Sequence, residues 1–325
     1  MYHLPERRAD RRSSTLDDRA PSALRIAVPD LISNSYFPAI AAVELGCLRE
    51  QGIDATIELL FPVDATYRAL AAGEIDLVAG SAHSALAAFP EWHGVKLLAA
   101  QGQGMYWFLV MRADLGAARN DPAVLRGKRI GAAPWVDFGL KQLIVDAGLD
   151  IDEMEIAPVP GAVGAGTNFG LTAARALQDG KIDGFWANGM AAEIAVRAGV
   201  GTVVLDVRRG DGPQGCFDYT FAALAITEAS LAADPGRAQA VVRGLRHAHA
   251  LLAEDPERAT PVGERVFPPE QAALIAELVR RDIPYYDADI ADQSIRGMNS
   301  FARAQGLLDG DPPYEAVVAM DIERT

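Results

Sequence analysis

The chain has 325 residues, of which half are hydrophobic and 23% are charged; this balance is typical of a globular protein long enough for two domains. Its 44 acidic and 30 basic residues give a formal net charge of −14, which argues against nucleic acid as a partner because phosphate binding needs clustered Lys and Arg. No apolar stretch reaches the about 18 residues of a membrane-spanning helix, so no transmembrane segment is expected.

Residues 1–22 are rich in charged and polar side chains and contain no apolar segment of the kind that a secretory signal needs. We interpret them as a disordered leader. The two cysteines, Cys47 and Cys216, have no metal-binding partners at useful spacing, so neither a metal site nor a cofactor is predicted.

From residue 24 onward, short apolar runs alternate with helical patterns, which is typical of an α/β protein with mostly parallel sheets. The first series has predicted strands at 24–29, 53–60, 75–79 and 95–101, and predicted helices at 37–46, 65–72 and 81–89. The apolar run 106–111 is predicted to be a strand that leaves this first lobe. The second series has predicted strands at 129–133, 155–158, 182–186 and 202–206, and predicted helices at 137–147, 172–178 and 190–198.

The apolar segment 219–227 is expected to cross back to the first lobe, and the remainder of the chain consists of predicted helices. Their expected ranges are 236–252, 256–266, 270–280 and 291–305. We therefore expect one lobe to comprise residues 23–110 and 218–325, including the C-terminal helices. The other lobe is expected to comprise residues 111–217.

One motif occurs twice. Residues 69–76 read ALAAGEID and residues 176–183 read ALQDGKID. Gly73 and Gly180 stand where the end of a helix needs a left-handed residue, and a strand follows each of them. The repeat predicts two similar lobes with a cleft between them, which is a common place for a small ligand. The alternative is chance recurrence of a common helix-to-strand loop.

Several short motifs occur in a characteristic order. They are Leu24–Ala27 before an Asn/Ser/aromatic loop, Phe37–Ala39, Gln51–Ile53, Gly73–Asp76, Leu125–Gly131, Gly180–Gly184 and Glu254–Glu257. With them, residues from about 24 to 310 resemble the substrate-binding proteins of ABC importers, in the branch that serves nitrate, taurine, aliphatic sulfonates and thiamine-pyrimidine precursors.

The resemblance implies a type II periplasmic-binding-protein-like fold, in which two α/β lobes joined by two crossing segments close on a solute. It also implies an ABC permease as partner and a periplasmic or cell-surface location, whereas the lack of a visible export signal implies the cytoplasm if the start site is correct. A monomer is expected.

Ligands of open parallel sheets bind beyond the carboxyl ends of the strands, which selects polar and aromatic residues in the loops that follow. The predicted ligand-binding residues are Asn34, Ser35, Tyr36, Ser81, His83, Ser84, Trp135, Asp137, Phe138, Thr167, Asn168, Trp186 and Asn188. Tyr36, Trp135 and Trp186 could stack on a planar ligand, and backbone amides near residue 81 could hold an anionic group. A small planar or anionic organic ligand is therefore expected. Trp186 could equally be a core residue.

The alternative function is catalysis on the same fold, of a hydrolase, lyase or desulfinase-like kind, on a small aromatic or heterocyclic substrate. The candidate pairs are His83 with Cys216 and Ser81 with His83, each joining a nucleophile to a base. The aromatic desulfinases of this fold use a cysteine in the loop after the first strand, and here residues 29–35 contain none. The yeast-type pyrimidine synthases use a cysteine-rich iron-binding motif, which two cysteines cannot supply. Binding is therefore preferred.

Overall fold

The computed structural model describes residues 23–162 and 169–320. In these two ranges, ten strands form two five-stranded sheets, which confirms the predicted α/β class. The strands are β1 (Leu24–Val28), β2 (Ala55–Leu59), β3 (Leu77–Ser81), β4 (Val95–Gly102), β5 (Phe108–Arg112), β6 (Arg129–Ala132), β7 (Glu155–Ala157), β8 (Gly184–Ala187), β9 (Gly201–Asp206) and β10 (Ala222–Thr227).

The α-helices of the described residues flank the two sheets and continue beyond them at the C-terminal end. They are α1 (Phe37–Glu44), α2 (Cys47–Glu50), α3 (Val63–Ala71), α4 (Asp137–Asp146), α5 (Phe169–Gln178), α6 (Gly189–Arg197), α7 (Glu228–Ala233), α8 (Pro235–Glu254), α9 (Ala259–Val266), α10 (Pro269–Asp282), α11 (Asp292–Ala304) and α12 (Tyr314–Val317). Within the described ranges, no helix is both long and apolar enough to cross a bilayer.

The two sheets have the same topology. The first has the order β2-β1-β3-β10-β4 and the second the order β7-β6-β8-β5-β9. In each, the strand in the fourth position is antiparallel to both neighbours, while the three strands before it are parallel. That antiparallel strand follows the other lobe's strands along the chain: β5 follows β4 but lies in the second sheet, and β10 follows β9 but lies in the first.

The repeated motif of the first lobe connects three backbone segments. Asp76 accepts a hydrogen bond from the backbone N–H of Arg25 at 2.8 Å, and its carboxylate lies 3.5 Å from the Arg25 Nε. The Arg25 Nη2 donates to the carbonyl of Gly73 at 3.3 Å. Gly73 has φ +72°, so it closes α3 in the left-handed conformation.

The second lobe repeats this arrangement residue by residue. Asp183 accepts from the backbone N–H and the Nε of Arg129, both at 3.0 Å, and the Arg129 Nη2 donates to the carbonyl of Gly180 at 2.9 Å. Gly180 has φ +67°. The two copies of the sequence motif therefore hold β1 to β3 in the first lobe and β6 to β8 in the second.

Two of the predicted helices have a different form. The predicted helix 81–89 is a 3₁₀ helix over Ala82–Ala87, and the predicted helix 256–266 begins with a 3₁₀ turn, Pro256–Arg258, before α9. Ser81 is the last residue of β3 and Pro90 stands just beyond Phe89, which leaves little length for an α-helix because a residue before proline avoids the α conformation.

Candidate functional site

A pocket lies between the two lobes at the carboxyl ends of β1, β2, β6 and β8. Its cavity volume is about 50 Å³, and the space free of protein atoms is about 480 Å³ when the adjoining open solvent is counted. Its described lining residues are Pro29, Asp30, Ser33, Tyr36, Phe61, Val63, Tyr106, Trp107, Ala133, Pro134, Val136, Phe169, Gly170, Trp186, Ala187 and Asn188. Parallel strands that end at one edge bring these loops together, as expected for a ligand site of an α/β protein.

The first lobe contributes a carboxylate to this pocket. Asp30 begins the loop after β1, and its Oδ1 accepts from the backbone N–H of Ile32 at 2.9 Å. Its Oδ2 accepts from the Nδ2 of Asn188, across the cleft, at 3.0 Å. Because Asn188 also accepts at Oδ1 from the N–H of Ala191 and so caps α6, one asparagine joins the start of α6 to the loop after β1.

Aromatic rings form much of the pocket wall. The hydroxyl groups of Tyr36 and Tyr106 lie 2.8 Å apart, and the two rings meet edge to face at 5.8 Å. Trp107 and Trp186 pack against each other at 6.1 Å between ring centroids. Burial raises the pKa of both Tyr36 and Tyr106 above the usual value of tyrosine, so the hydroxyl pair stays uncharged.

The indole N–H of Trp186 is a donor without a partner among the described residues. The side chain is fully buried at the end of β8 and still lines the pocket. Both interpretations of Trp186 from the sequence therefore describe part of its position. An unpaired buried donor costs free energy unless a ligand supplies the acceptor, so this N–H is a candidate recognition group.

Three further predicted residues lie behind the pocket rather than on its wall. The Ser81 and Ser84 hydroxyl groups are 2.6 Å apart and fully buried. His83 is also fully buried; its Nδ1 lies 3.0 Å from the Thr220 hydroxyl, and its Nε2 lies 3.0 Å from the carbonyl of Trp135. A carbonyl only accepts, so the Nε2 of His83 carries the proton and the Nδ1 accepts from Thr220.

Trp135, Asp137 and Phe138 do not line the pocket. They lie in a separate cleft beside β7, together with residues 156–158. Trp135 has φ +70°, an uncommon conformation for a residue with a side chain, and it places the ring in this separate cleft while its carbonyl accepts from His83. Thr167 and Asn168 lie outside the described residues.

Asn34 and Ser35 are buried in the loop after β1 and are not among the described lining residues of the pocket. Both polar atoms of the Asn34 side chain have protein partners. Of the predicted residues, the structure thus brings Tyr36, Trp186 and Asn188 together at the pocket.

The predicted nucleophile–base pairs are absent among the hydrogen bonds of the described residues. The Cys216 thiol donates to the carbonyl of Asp211 at 3.6 Å, and burial raises the pKa of Cys216 to about 11, so the thiol stays protonated near neutral pH. Both ring nitrogens of His83 are occupied by Thr220 and Trp135, and Ser81 pairs with Ser84.

Sequence reasoning missed Asp30, Ser33 and the crossing-segment residues Tyr106 and Trp107. Asp30 and Ser33 stand in the loop after β1, where the rule that selected Asn34 applies equally. Tyr106 and Trp107 precede β5 in the segment that connects the lobes, and there the sequence gives no signal that a buried ring also faces a cleft.

This fold, with two similar lobes, two crossing segments and a cleft between them, is that of the two-lobe periplasmic binding proteins. A family model described as NMT1/THI5 like matches residues 33–259. The chain therefore belongs to the NMT1/THI5-like family, in agreement with the resemblance seen in the sequence. No curated protein has a significantly matching sequence.

Solved structures share the fold at low sequence identity. The alkanesulfonate-binding protein SsuA from Xanthomonas axonopodis pv. citri, bound to MOPS, has a TM-score of 0.70 at 16% identity, over 92% of this chain and 99% of that one. The nitrate-binding protein NrtA from Synechocystis PCC 6803 has a TM-score of 0.61 at 15% identity, over 78% and 70%. A mutant of DSZB in complex with biphenyl-2-sulfinic acid has a TM-score of 0.60 at 14% identity, over 90% and 96%.

Proposed function

We propose that this protein is a solute-binding protein that captures a small planar organic molecule in the cleft between its lobes and delivers it to an ABC permease. Family membership and the two-lobe fold support the class of function. The observation that carries the ligand chemistry is the described lining of the pocket, which combines aromatic rings with the carboxylate of Asp30 and with the indole N–H of Trp186, a donor that has no partner among the described residues.

The charge of the described pocket lining disfavours an anionic ligand, and the aromatic rings favour a planar one. Among the described lining residues, Asp30 carries a negative charge and none is Lys or Arg. A sulfonate or nitrate would therefore meet a like charge from Asp30, and none of the described lining residues supplies a cation to offset it. A flat molecule that donates N–H groups to Asp30, accepts from the Trp186 N–H and stacks between rings satisfies all three features.

Titration calorimetry with three probes tests this ligand class. We expect an aminopyrimidine, which is planar and donates N–H, to bind more tightly than benzenesulfonate, which is planar and anionic. Ethanesulfonate, which is anionic without a ring, should not bind. Tighter binding of either sulfonate would contradict the proposal.

The Asp30→Asn variant examines the carboxylate directly. We expect it to weaken aminopyrimidine binding by about tenfold or more, because hydrogen bonds to charged groups contribute about 1.5–3 kcal/mol. Asp137→Asn is the matched control, since Asp137 lies in the separate cleft beside β7 and should leave the affinity unchanged. Equal effects of the two substitutions on affinity would exclude Asp30 as a residue that binds the ligand.

We propose that the chain divides into one lobe of residues 23–110 and 218–325 and another of residues 111–217. The strand bounds support moving the first divide to 103–107, because β4 ends at Gly102 and β5 begins at Phe108, and they support a second divide within 207–221, because β9 ends at Asp206 and β10 begins at Ala222. A boundary at 110 would pass through β5. The monomeric state is also a proposal, which light scattering would test.

A further inference from the structure

Asn34 connects three parts of the molecule although it lies outside the ligand pocket. It stands in the loop after β1, between the pocket residues Ser33 and Tyr36, and is 1% exposed. Its Oδ1 accepts from the backbone N–H of Met190, in the first turn of α6 in the second lobe, at 3.2 Å. Its Nδ2 donates to Asp282 at 2.6 Å, at the end of α10. Because the N–H can only donate and the carboxylate accepts, the two partners fix the orientation of the carboxamide.

Asp282 is the centre of a buried charge network. It is 2% exposed, and its Oδ1 accepts from the Nη2 of Arg209 at 2.9 Å. Its Oδ2 lies 3.3 Å from the Nη1 of Arg208, which is itself 5% exposed and donates from Nε to the carbonyl of Gln103. Both arginines follow β9, and Gln103 follows β4, so the network joins the two crossing segments to α10. A buried carboxylate with such partners holds its donors in one geometry, because leaving any of them unpaired is costly.

The first turn of α6 is shaped to admit Asn34. A Cβ atom on Gly189 would lie 3.0 Å from the Asn34 Nδ2, 3.1 Å from its Oδ1 and 3.1 Å from the Arg281 Nη2. A side chain at position 189 would therefore press on the carboxamide and on the guanidinium of Arg281, which stands beside Asp282 at the end of α10. Two hydrogen bonds hold the loop after β1 against the start of α6: the bond between Asn34 and Met190, and the neighbouring bond between Asp30 and Asn188. The glycine at position 189 allows this close approach.

We propose that Asn34 is a positioning residue that sets how closely the two lobes approach each other, rather than a residue that touches the ligand. Its carboxamide fixes the loop after β1 against the start of α6, with Asp282 as the anchor. These are the two segments that present Asp30, Tyr36 and Asn188 to the pocket. This inference deepens the proposed function, since it assigns a control of closure to the same cleft.

A charge exchange between Asn34 and Asp282 tests the proposal without any ligand. Spin labels at Thr56→Cys on β2 and Glu155→Cys on β7, both exposed positions, report the distance between the lobes by pulsed electron resonance. Asn34→Asp places a second carboxylate against Asp282, so we expect a shift of the distance distribution to longer values. In the double variant Asn34→Asp/Asp282→Asn, position 282 donates the hydrogen bond and position 34 accepts it, and one negative charge remains near Arg208 and Arg209. We therefore expect its distance distribution to return toward that of the wild type.

Unchanged distances in Asn34→Asp, or no recovery in the folded double variant, would overturn the proposal. Asn299→Asp is the control, because this buried asparagine donates to the Pro312 carbonyl beside α11 and has no described contact with the second lobe. If Asn34→Asp does not fold, Gly189→Ala takes its place and should lengthen the distances by pressing on the same carboxamide; unchanged distances there would equally overturn the proposal. Because no ligand is used, a negative result in the calorimetric panel would contradict the proposed function and leave this inference standing.

Discussion

Trp186 combines a buried ring with an indole N–H that has no acceptor among the described residues. Such a donor lowers stability in the empty protein and raises affinity for a ligand that accepts from it. Under the proposed function, ligand recognition and stability are therefore opposed at this one atom.

Trp186→Phe removes the N–H together with the five-membered ring of the indole. We expect affinity for the tightest-binding probe to fall about tenfold. The melting temperature should also fall, because the smaller ring leaves a cavity at this buried site, and the loss of the unpaired donor offsets only part of that cost. Calorimetry and thermal unfolding measure the two effects. Trp92→Phe is the matched control, because the N–H of Trp92 is also unpaired among the described residues while its ring packs in the first-lobe core; affinity should not change. A normal affinity in Trp186→Phe would exclude the N–H from recognition.

The residues that line the pocket were harder to predict from the sequence than the residues that form the core. Asn188 directly follows β8 and Tyr36 lies in the loop after β1, and both line the pocket, where the strand-end rule expects them. Trp135 obeys the same rule in sequence, but its positive φ places the ring in the cleft beside β7. His83 is drawn into the interior by Thr220 and the Trp135 carbonyl, which are distant in sequence. Backbone conformation and long-range partners are properties of the folded chain, which explains why the sequence alone does not locate these two side chains.

At the level of elements, the duplicated motif was the most informative feature of the sequence. Its glycines end a helix and its aspartates bind the arginine of the neighbouring strand, so the motif encodes a whole helix–turn–strand contact. This contact can be predicted from the sequence because the order of the strands determines which residues meet. The two copies differ in burial, however: the side chain of Asp76 is 37% exposed and that of Asp183 is 15% exposed.

The difference in burial predicts unequal costs for the same substitution in the two lobes. Asp183 also pairs with Arg112 at 3.3 Å, and hydrogen bonding from Arg129 holds the pKa of Asp183 below its usual value. We expect Asp183→Asn to lower the free energy of unfolding by about 1–3 kcal/mol and Asp76→Asn to lower it by less. Urea denaturation of both variants measures this, and an equal or reversed order would contradict the interpretation of the repeat.

For the molecule as a whole, two buried histidines link stability to pH. His83 is fully buried and His249 is 7% exposed with its Nε2 3.0 Å from the carbonyl of Gln101. Burial lowers the pKa of each to about 4. The unfolded chain, in which a histidine has a pKa of about 6.5, therefore takes up protons first as the pH falls.

We expect the contribution of these histidines to be complete above pH about 6.5 and to be lost progressively toward pH about 4, with roughly 2 kcal/mol lost per histidine at pH 5. Denaturant unfolding across this range measures the loss. Other titrating groups are separated by comparison with the His83→Gln/His249→Gln variant, whose curve should be flatter over the same interval. Parallel curves for the two proteins would show that neither histidine contributes.

The exchanged antiparallel strands have a consequence for biosynthesis. The second sheet is built wholly from residues between Phe108 and Asp206, whereas the first sheet contains β10 between β3 and β4. On the ribosome, the later-made half can complete its sheet as soon as it emerges. The first sheet stays incomplete until Ala222–Thr227 has been synthesised, because β10 pairs with both β3 and β4. Until then the facing edges of β3 and β4 are unpaired, so we expect the first lobe to be the one more exposed to aggregation and to chaperones during synthesis.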